Sequence, residues 1–290
     1  MTRQLDLLRR LPIRAAGLAA SSAVCLAAAA QSAPAPAPAA PVAAPGACQP
    51  LYLALETGHL ESAPMLVEAL HTQGVTATFF SANEKQKNGK TSLDRAWGPW
   101  WKARAREGHD TAARTWDRVE WNGDLPGREP RFRMRIHDGA FAGREFTWKG
   151  SKYCENLDKS AERLNYYTGK PPLQLFHVEG RASPRLLETA QSCGYKHVSW
   201  TPASFLASKD WTEGKKPYDE LTRNALKALP PQPVLLVGTS MWEGHDGWVT
   251  GGMLKQFIGH AKALGYCFKP LREHPDYQSW LQEHPYEDKP

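Results

Sequence analysis

Short apolar segments alternate with amphipathic segments from residue 51 to residue 271. The apolar segments predict strands at 51–55, 75–80, 173–177, 196–200, 234–237 and 266–271. The amphipathic segments carry apolar residues at helical spacing and predict helices at 62–73, 97–107, 158–167, 184–193, 218–229 and 252–264. Strands that alternate with helices of this length indicate βαβ units and a parallel sheet.

The pattern therefore predicts an α/β fold, a single (β/α) barrel with six to eight parallel strands, in one domain over residues 48–275. Residues 122–151 interrupt the alternation, because they are rich in Gly, Arg and aromatic residues. Within them, 131–137 and 145–148 predict a small β-hairpin inserted over one face of the barrel. Residues 276–290 are expected to form a C-terminal tail.

The first 47 residues have a different composition from the rest. Four arginines precede an alanine-dominated apolar run at 15–30 that ends in small residues. This order is typical of an export signal peptide, here residues 1–30, and the run is too short and alanine-rich for a membrane span. Residues 31–47 are mostly Ala and Pro and predict an extended linker. We expect a periplasmic or secreted protein with no stable membrane span after cleavage.

The formal net charge of +6 overstates the basicity of the exported part. The predicted signal carries four arginines and one aspartate, so its removal leaves a formal charge of +3. The remaining Lys and Arg form no dense cluster along the sequence, and a nucleic-acid partner is not predicted.

Four cysteines follow the predicted signal: Cys48, Cys154, Cys193 and Cys267. An exported protein meets an oxidising compartment, which favours one or two disulfides. Four cysteines allow three complete pairings, and all three remain open. The absence of a CxxC spacing argues against a structural zinc cluster.

Several segments resemble, in order, the polysaccharide deacetylase (NodB-homology, carbohydrate esterase) family. They are LYLALETG at 51–58, GVTATFF at 74–80 and GHDTAARTW at 108–116, followed by 175–180, 194–200, 234–239 and 264–271. The resemblance covers about 48–272 and implies a NodB-like distorted barrel. It also implies hydrolysis of acetyl groups on a polysaccharide by a divalent metal held by one Asp and two His, with an Asp as base and a His as acid.

The positions of these catalytic groups are mostly occupied by other residue types. The resemblance places Glu56 at the base, Thr57 at the metal-binding Asp, Arg114 and Arg118 at the two His, and Gly238 at the acid. Arginine is permanently charged and has no lone pair for a metal. We therefore expect that standard metal catalysis is lost and that no cofactor is bound, unless a non-standard ligand set holds a divalent metal such as zinc.

Three uses of the altered site remain open. Arg114 and Arg118 could fill the metal position as a structural ion pair with Glu56, or their guanidinium groups could bind a carboxylate or phosphate of a glycan. A third hypothesis is a new hydrolytic site in which Glu56 and a polarising arginine act with His177 and Glu179, which lie in the matching segment 175–180.

Other residues carry further hypotheses. His59, His109 and His245 are alternative metal ligands, and Asp210 resembles an acid that supports the family's catalytic His but could instead form a local cap or ion pair. Tryptophans near the matching segments could stack on sugar rings or pack the insertion against the barrel: Trp116, Trp211 and Trp242.

The function predicted from these observations is that of an exported polysaccharide deacetylase-like protein. It would act on or bind a polysaccharide or peptidoglycan-type glycan, with standard deacetylation lost. The alternatives are an active N- or O-deacetylase with a rearranged site, and a non-catalytic assembly partner in the cell envelope.

Overall fold

The structure, a computed structural model, describes residues 48–56, 60, 63–238 and 247–287. Its strands are β1 (Gln49–Glu56), β2 (Thr78–Ser81), β3 (Asp110–Ala113), β4 (Val119–Asp124), β5 (Arg131–Ile136), β6 (Glu145–Lys149), β7 (Leu173–Phe176), β8 (Lys196–His197), β9 (Thr201–Pro202), β10 (Val234–Val237) and β11 (Tyr266–Lys269). Its α-helices are α1 (Ala63–Thr72), α2 (Gly98–Arg106), α3 (Gly150–Thr168), α4 (Pro184–Ser192), α5 (Lys209–Thr212), α6 (Tyr218–Ala228), α7 (Gly247–Ala263) and α8 (Pro275–Glu283).

Eight parallel strands form the main sheet, in the order β8-β7-β3-β2-β1-β10-β9, with β11 also beside β1. The first half of β1 pairs with β11 and its second half with β10. This arrangement confirms the predicted distorted (β/α) barrel and its number of strands. β8 and β9 have only two residues each, so the strand predicted over 196–200 is much shorter than expected.

Side chains on the two faces of this sheet build two hydrophobic cores. Alternate residues of the strands, such as Leu53 and Phe79, face the helices and pack with the apolar faces of α1, α2 and α7. The other set faces the barrel interior and forms a second cluster, which includes Tyr52, Ala54 and Phe80. Burial on both faces explains why these strands appear in the sequence as short apolar runs.

The insertion is a three-stranded antiparallel sheet in the order β4-β5-β6. The predicted hairpin of β5 and β6 is confirmed, and β4 adds a third strand that begins before residue 122. β4 was missed because its sequence, VEWNGD, is mostly polar. The inner face of β5 carries Phe132, Met134 and Ile136, which are buried in a cluster with apolar residues of α3 and α4.

One helix begins earlier than predicted, and another lies where no helix was predicted. α3 begins at Gly150, where an added Cβ would lie 2.7 Å from Cγ2 of Thr189, so a glycine permits the close packing of α3 on α4. α8 lies in the segment predicted as a tail. It is held by the buried Tyr277 and by Trp280, whose indole Nε1 donates to the carbonyl oxygen of Gln174 at 3.0 Å.

Two disulfides select one of the three possible pairings, Cys48–Cys267 and Cys154–Cys193. The first joins the beginning of β1 to the adjacent β11, and the second joins α3 to the residue after α4. Among the described helices, none is both long and apolar enough to cross a membrane.

Candidate functional site

The carboxyl ends of the barrel strands carry one layer of inward-facing residues. In the barrel interior, Ala54, Ala112 and Leu175 belong to the apolar cluster on β1, β3 and β7. Because side chains alternate along a strand, the residues two positions later face the same interior. These residues are Glu56, Arg114 and His177, and the same spacing after Leu236 on β10 leads to Gly238.

Arg114 is the centre of this layer and is only 1 % exposed. Its Nη1 atom donates to Oε1 of Glu84 at 3.2 Å, and its Nη2 atom lies 3.5 Å from Oε1 of Glu56. The same Nη2 atom also donates to Oε2 of Glu179. One guanidinium group thus contacts carboxylates that follow β1, β2 and β7.

Arg118 joins the network from the turn after β3. Its Nη2 and Nε atoms donate to Oε1 and Oε2 of Glu179 at 3.0 and 3.3 Å, a two-bond arrangement that a guanidinium group favours. Its Nη1 atom lies 3.5 Å from Oδ2 of Asp138 in the insertion. Arg118 has a φ of 49°, a left-handed conformation that costs a non-glycine residue free energy.

The charges hold each other in the ionised state. Burial alone would lower the pKa of Arg114, but the carboxylates of Glu56, Glu84 and Glu179 outweigh it and raise that pKa. Burial alone would raise the pKa of Glu179, but Arg114 and Arg118 outweigh it and lower that pKa to about 2. Arg114 and Glu179 therefore stay ionised at neutral pH. Together with Asp138 the network has two guanidinium groups and four carboxylates, a formal charge of −2.

His177 lies beside the network as a neutral imidazole. Burial and the nearby Arg114 hold its pKa well below the ordinary value. Its Nδ1 atom lies 3.2 Å from Oε1 of Glu56, but with a geometry that makes no hydrogen bond, and neither ring nitrogen has a hydrogen-bond partner among the described residues. The ring packs against that of Trp200, with centroids 3.8 Å apart and the planes tilted by 35°.

Gly238 stands where the resemblance implies the catalytic acid. A Cβ atom added there would lie 3.2 Å from Oε2 of Glu56, closer than a side chain normally approaches. The carboxylate of Glu56 therefore lies close to the space that a larger side chain at 238 would occupy. A histidine at this position would require Glu56 to move.

These residues do not fit the divalent metal that the resemblance implies. At two of the three family positions, Arg114 and Arg118 bring cationic donors that repel a metal and occupy the carboxylates that could bind one. The third position, Thr57, lies outside the described residues. No three His, Cys, Asp or Glu side chains in the described ranges form a metal-binding group.

Two further residues that the sequence suggested for the site lie away from the network: His109, a possible metal ligand, and Asp210, a possible supporting acid. His109 precedes β3, at the opposite end of that strand from Arg114, and its Nδ1 atom accepts a hydrogen bond from the backbone N–H of Ala77 at 3.1 Å. Burial lowers its pKa to about 4. Asp210 pairs with Lys216 at 2.8 Å on the partly exposed α5, which fits the local ion pair that the sequence left open.

The tryptophans that could stack on sugar rings turn out to be buried. Trp116 is 8 % exposed and Trp211 is 3 % exposed, and both belong to the core between the sheet and the helices. Their burial leaves little of either ring accessible to a sugar, and the cluster they join contains no residue of the insertion at 122–151. Three further predicted residues lie outside the described part of the chain: His59, Trp242 and His245.

Three site residues were not predicted. Glu84 and Asp138 complete the ion network, and Trp200 covers His177. Glu84 lies in a lysine-rich segment whose charges look solvent-exposed in sequence, although its own side chain is 2 % exposed. Asp138 reaches the site only because the insertion folds back on the turn after β3, which no local sequence signal indicates.

Comparison with solved structures identifies the fold. The chain is similar to a family 4 acetyl xylan esterase from Clostridium thermocellum in complex with a cobalt ion, with 14 % identity, a TM-score of 0.54 and coverage of 80 % of this chain and 92 % of that chain. It is also similar to a peptidoglycan N-acetylglucosamine deacetylase, with 18 % identity, a TM-score of 0.52 and coverage of 79 % and 88 %.

A third neighbour is a CE4 family pseudoenzyme from Bacillus anthracis, with 14 % identity, a TM-score of 0.52 and coverage of 80 % of this chain and 66 % of that chain. A mutant of that pseudoenzyme has restored enzymatic activity. No protein-family profile and no curated protein matches the sequence.

The class of protein is therefore defined by its fold, the NodB-like barrel of CE4 polysaccharide deacetylases and pseudoenzymes. The resemblance read from the ordered segments is confirmed at this level. Within that fold, this chain has a buried arginine–carboxylate network at the carboxyl ends of the strands.

Proposed function

We propose that the protein is an exported, divergent polysaccharide deacetylase-like protein that binds a cell-envelope or extracellular glycan and does not carry out metal-dependent deacetylation. The observation that carries this proposal is Arg114, which is buried at a family metal position and bound to Glu84 and Glu179. A neighbour with this fold is itself a pseudoenzyme, so the fold occurs without its activity.

The ion network supports a structural rather than an anion-binding use of the two arginines. Arg114 and Arg118 already contact carboxylates of the protein, and the formal charge of the network is negative. An anionic sugar would have to displace Glu179 from both arginines. Of the uses predicted for this site, the substitution of the metal by protein cations is therefore the best supported.

A glycan ligand is proposed because solved neighbours are named for xylan and peptidoglycan. Export is proposed from residues 1–30, and two disulfides agree with an oxidising compartment. The assembly-partner alternative has no specific structural observation in its favour.

The experiment uses the protein without residues 1–30. Acetate release is measured on acetylated xylan and on peptidoglycan with zinc, cobalt or nickel added, and affinity gel electrophoresis measures retention by the same glycans. We expect retention without metal-dependent acetate release, and no stoichiometric metal by elemental analysis. Metal-dependent turnover at ordinary enzyme rates would contradict the proposal, and so would the absence of any glycan retention.

A matched variant shows that the assay detects a restored metal site. The triple substitution Thr57→Asp, Arg114→His and Arg118→His restores one Asp and two His at the family positions. We expect this variant to bind zinc in elemental analysis, because the cationic donors are replaced by metal ligands.

A second candidate function is hydrolysis without a metal, favoured by the 3.2 Å contact between Glu56 and His177. In this case acetate release would persist in a chelator and would be lost in Glu56→Gln. Activity that survives in Glu56→Gln would exclude this candidate.

A further inference from the structure

Two loops meet beside the buried network and form the edge of the candidate site. The first, residues 84–92, follows β2, and the second, residues 137–144, connects β5 to β6. The backbone N–H of Lys85 donates to Oδ1 of Asp138 at 3.3 Å, which joins the loops. Each loop also sends one carboxylate into the network, Glu84 and Asp138. We call these two loops the basic rim.

The exposed charges of the basic rim are all positive. Lys85, Lys87 and Lys90 are exposed, and their side chains make no ion pair or hydrogen bond with the described residues. Arg144 is also exposed. Both carboxylates of the two loops point into the network, where Arg114 and Arg118 contact them. The basic rim therefore has at least four exposed cations, and the acidic residues of the two loops do not neutralise them.

An exposed aromatic ring lies beside one of these cations, Arg144. Phe141, in the second loop, is 50 % exposed, and a large apolar side chain is rarely this accessible without a partner. It packs edge-to-face on Phe146 with centroids 5.5 Å apart, and the guanidinium carbon of Arg144 lies 6.0 Å from each ring. These contacts hold the ring in place while leaving one side of it accessible. A fixed, exposed ring is suited to stacking on the apolar C–H face of a sugar.

We infer that the basic rim binds an anionic glycan, a polysaccharide whose sugars carry carboxylate groups, with Phe141 as its stacking platform. This inference rests on the proposed glycan-binding function and specifies the class of glycan. The positive charge available to an anion lies on the rim, because the arginines of the network already bind protein carboxylates. A chain of acidic sugars can contact several exposed lysines at once and still place one ring on Phe141.

The test compares two variants with the same change in charge. Lys87→Gln with Lys90→Gln removes two cations of the rim, and Lys102→Gln with Arg106→Gln removes two exposed cations from α2. Affinity gel electrophoresis and calorimetry with polygalacturonate, neutral xylan and a single-stranded oligonucleotide give the affinities at several salt concentrations. The first variant should bind polygalacturonate about tenfold more weakly than the second, with a log–log salt slope shallower by about two.

Phe141→Ala separates stacking from charge. It should weaken polygalacturonate binding by about fivefold without changing the salt slope, since a neutral ring releases no counterions. A salt slope that changes with Phe141→Ala would contradict the stacking role.

The remaining outcomes distinguish this inference from the function on which it rests. Equal polygalacturonate affinities of the two double variants would overturn the inference, and so would an oligonucleotide that binds as tightly as polygalacturonate. If neutral xylan is retained in either case, the proposed glycan-binding function stands. Retention of no glycan by the unsubstituted protein would overturn both.

Discussion

The guanidinium Nη2 atom of Arg114 lies 3.5 Å from Oε1 of Glu56, so a family metal position and the position of the family's base are joined by a direct ion pair. Glu56 keeps its place at the end of β1, and the same arginine also contacts Glu84 and Glu179. The positive charge that a metal supplies in the related enzymes is here part of the protein. Arg114 has no lone pair to donate, so its side chain cannot coordinate a metal at this position.

Loss of the Arg114 side chain should strongly destabilise the fold. Arg114→Met leaves three carboxylates in a buried site without their shared cation, which typically costs about 3–5 kcal/mol. Urea denaturation should show this loss in the free energy of unfolding. The control Arg106→Met, on the exposed face of α2, should change it by less than about 0.5 kcal/mol.

A second substitution checks whether charge is the cause. Adding Glu84→Gln to Arg114→Met removes one of the uncompensated carboxylates and should recover part of the lost stability. If the double variant is no more stable than Arg114→Met, the network does not contribute through charge balance.

The stability of the protein should decrease below pH 6.5. Burial lowers the pKa of His109 and of His197 to about 4 and that of His177 well below 6.5, so all three stay neutral when folded. The unfolded chain takes up these protons first, and folding loses stability as the pH falls from 6.5 towards 4. Near pH 5 the difference of up to three protons gives a slope of up to about 4 kcal/mol per pH unit.

Urea denaturation between pH 7 and pH 5 measures this slope. His177→Leu removes one of the three groups without breaking a hydrogen bond of the described structure, so it should reduce the slope by about a third. An unchanged slope in His177→Leu would mean that this imidazole titrates normally in the folded protein.

The backbone at Arg118 should favour glycine over alanine. Its φ of 49° lies in the left-handed region, which costs an L-residue about 1–2 kcal/mol relative to glycine. Both Arg118→Gly and Arg118→Ala lose the ion pairs, so their difference isolates the backbone. We expect Arg118→Gly to be the more stable by about 1 kcal/mol in urea denaturation.

The relative stability of the glycine and alanine variants should reverse at a position with ordinary strand geometry. At Arg133, in the middle of β5, alanine should be more stable than glycine, because glycine loses more conformational freedom on folding. The same order at both positions would contradict a left-handed conformation at Arg118.

The pairing of the two disulfides can be determined by peptide mapping. Digestion without reduction should yield linked peptides that contain Cys48 with Cys267, and Cys154 with Cys193. The double substitution Cys154→Ala with Cys193→Ala should cost about 2–4 kcal/mol, because the link restricts the unfolded chain. Linked peptides in either of the other two pairings would contradict this arrangement.

The sequence by itself indicated the barrel and the replacement of the residues that the family resemblance places at the metal and the catalytic acid. Short strands that are buried on both faces, such as β1 and β10, appear in the sequence as apolar runs. Such a run can be recognised from the sequence alone, without knowledge of the fold. The identities of Arg114, Arg118 and Gly238 likewise indicated a changed site once the segments were placed in order. Weakly patterned elements escaped detection, and β4 is the example, because its polar residues give no period.

Only the tertiary structure decided what the changed residues do. Glu84, Asp138 and Glu179 come from three separate loops, and a contact between distant segments depends on how the chain folds back rather than on local spacing. For the same reason the sequence left open whether Trp116 and Trp211 face a sugar or pack inside the protein, and only the structure shows that both are buried. Burial is what turns two arginines and four carboxylates into one network, and burial is a property of the packed molecule alone.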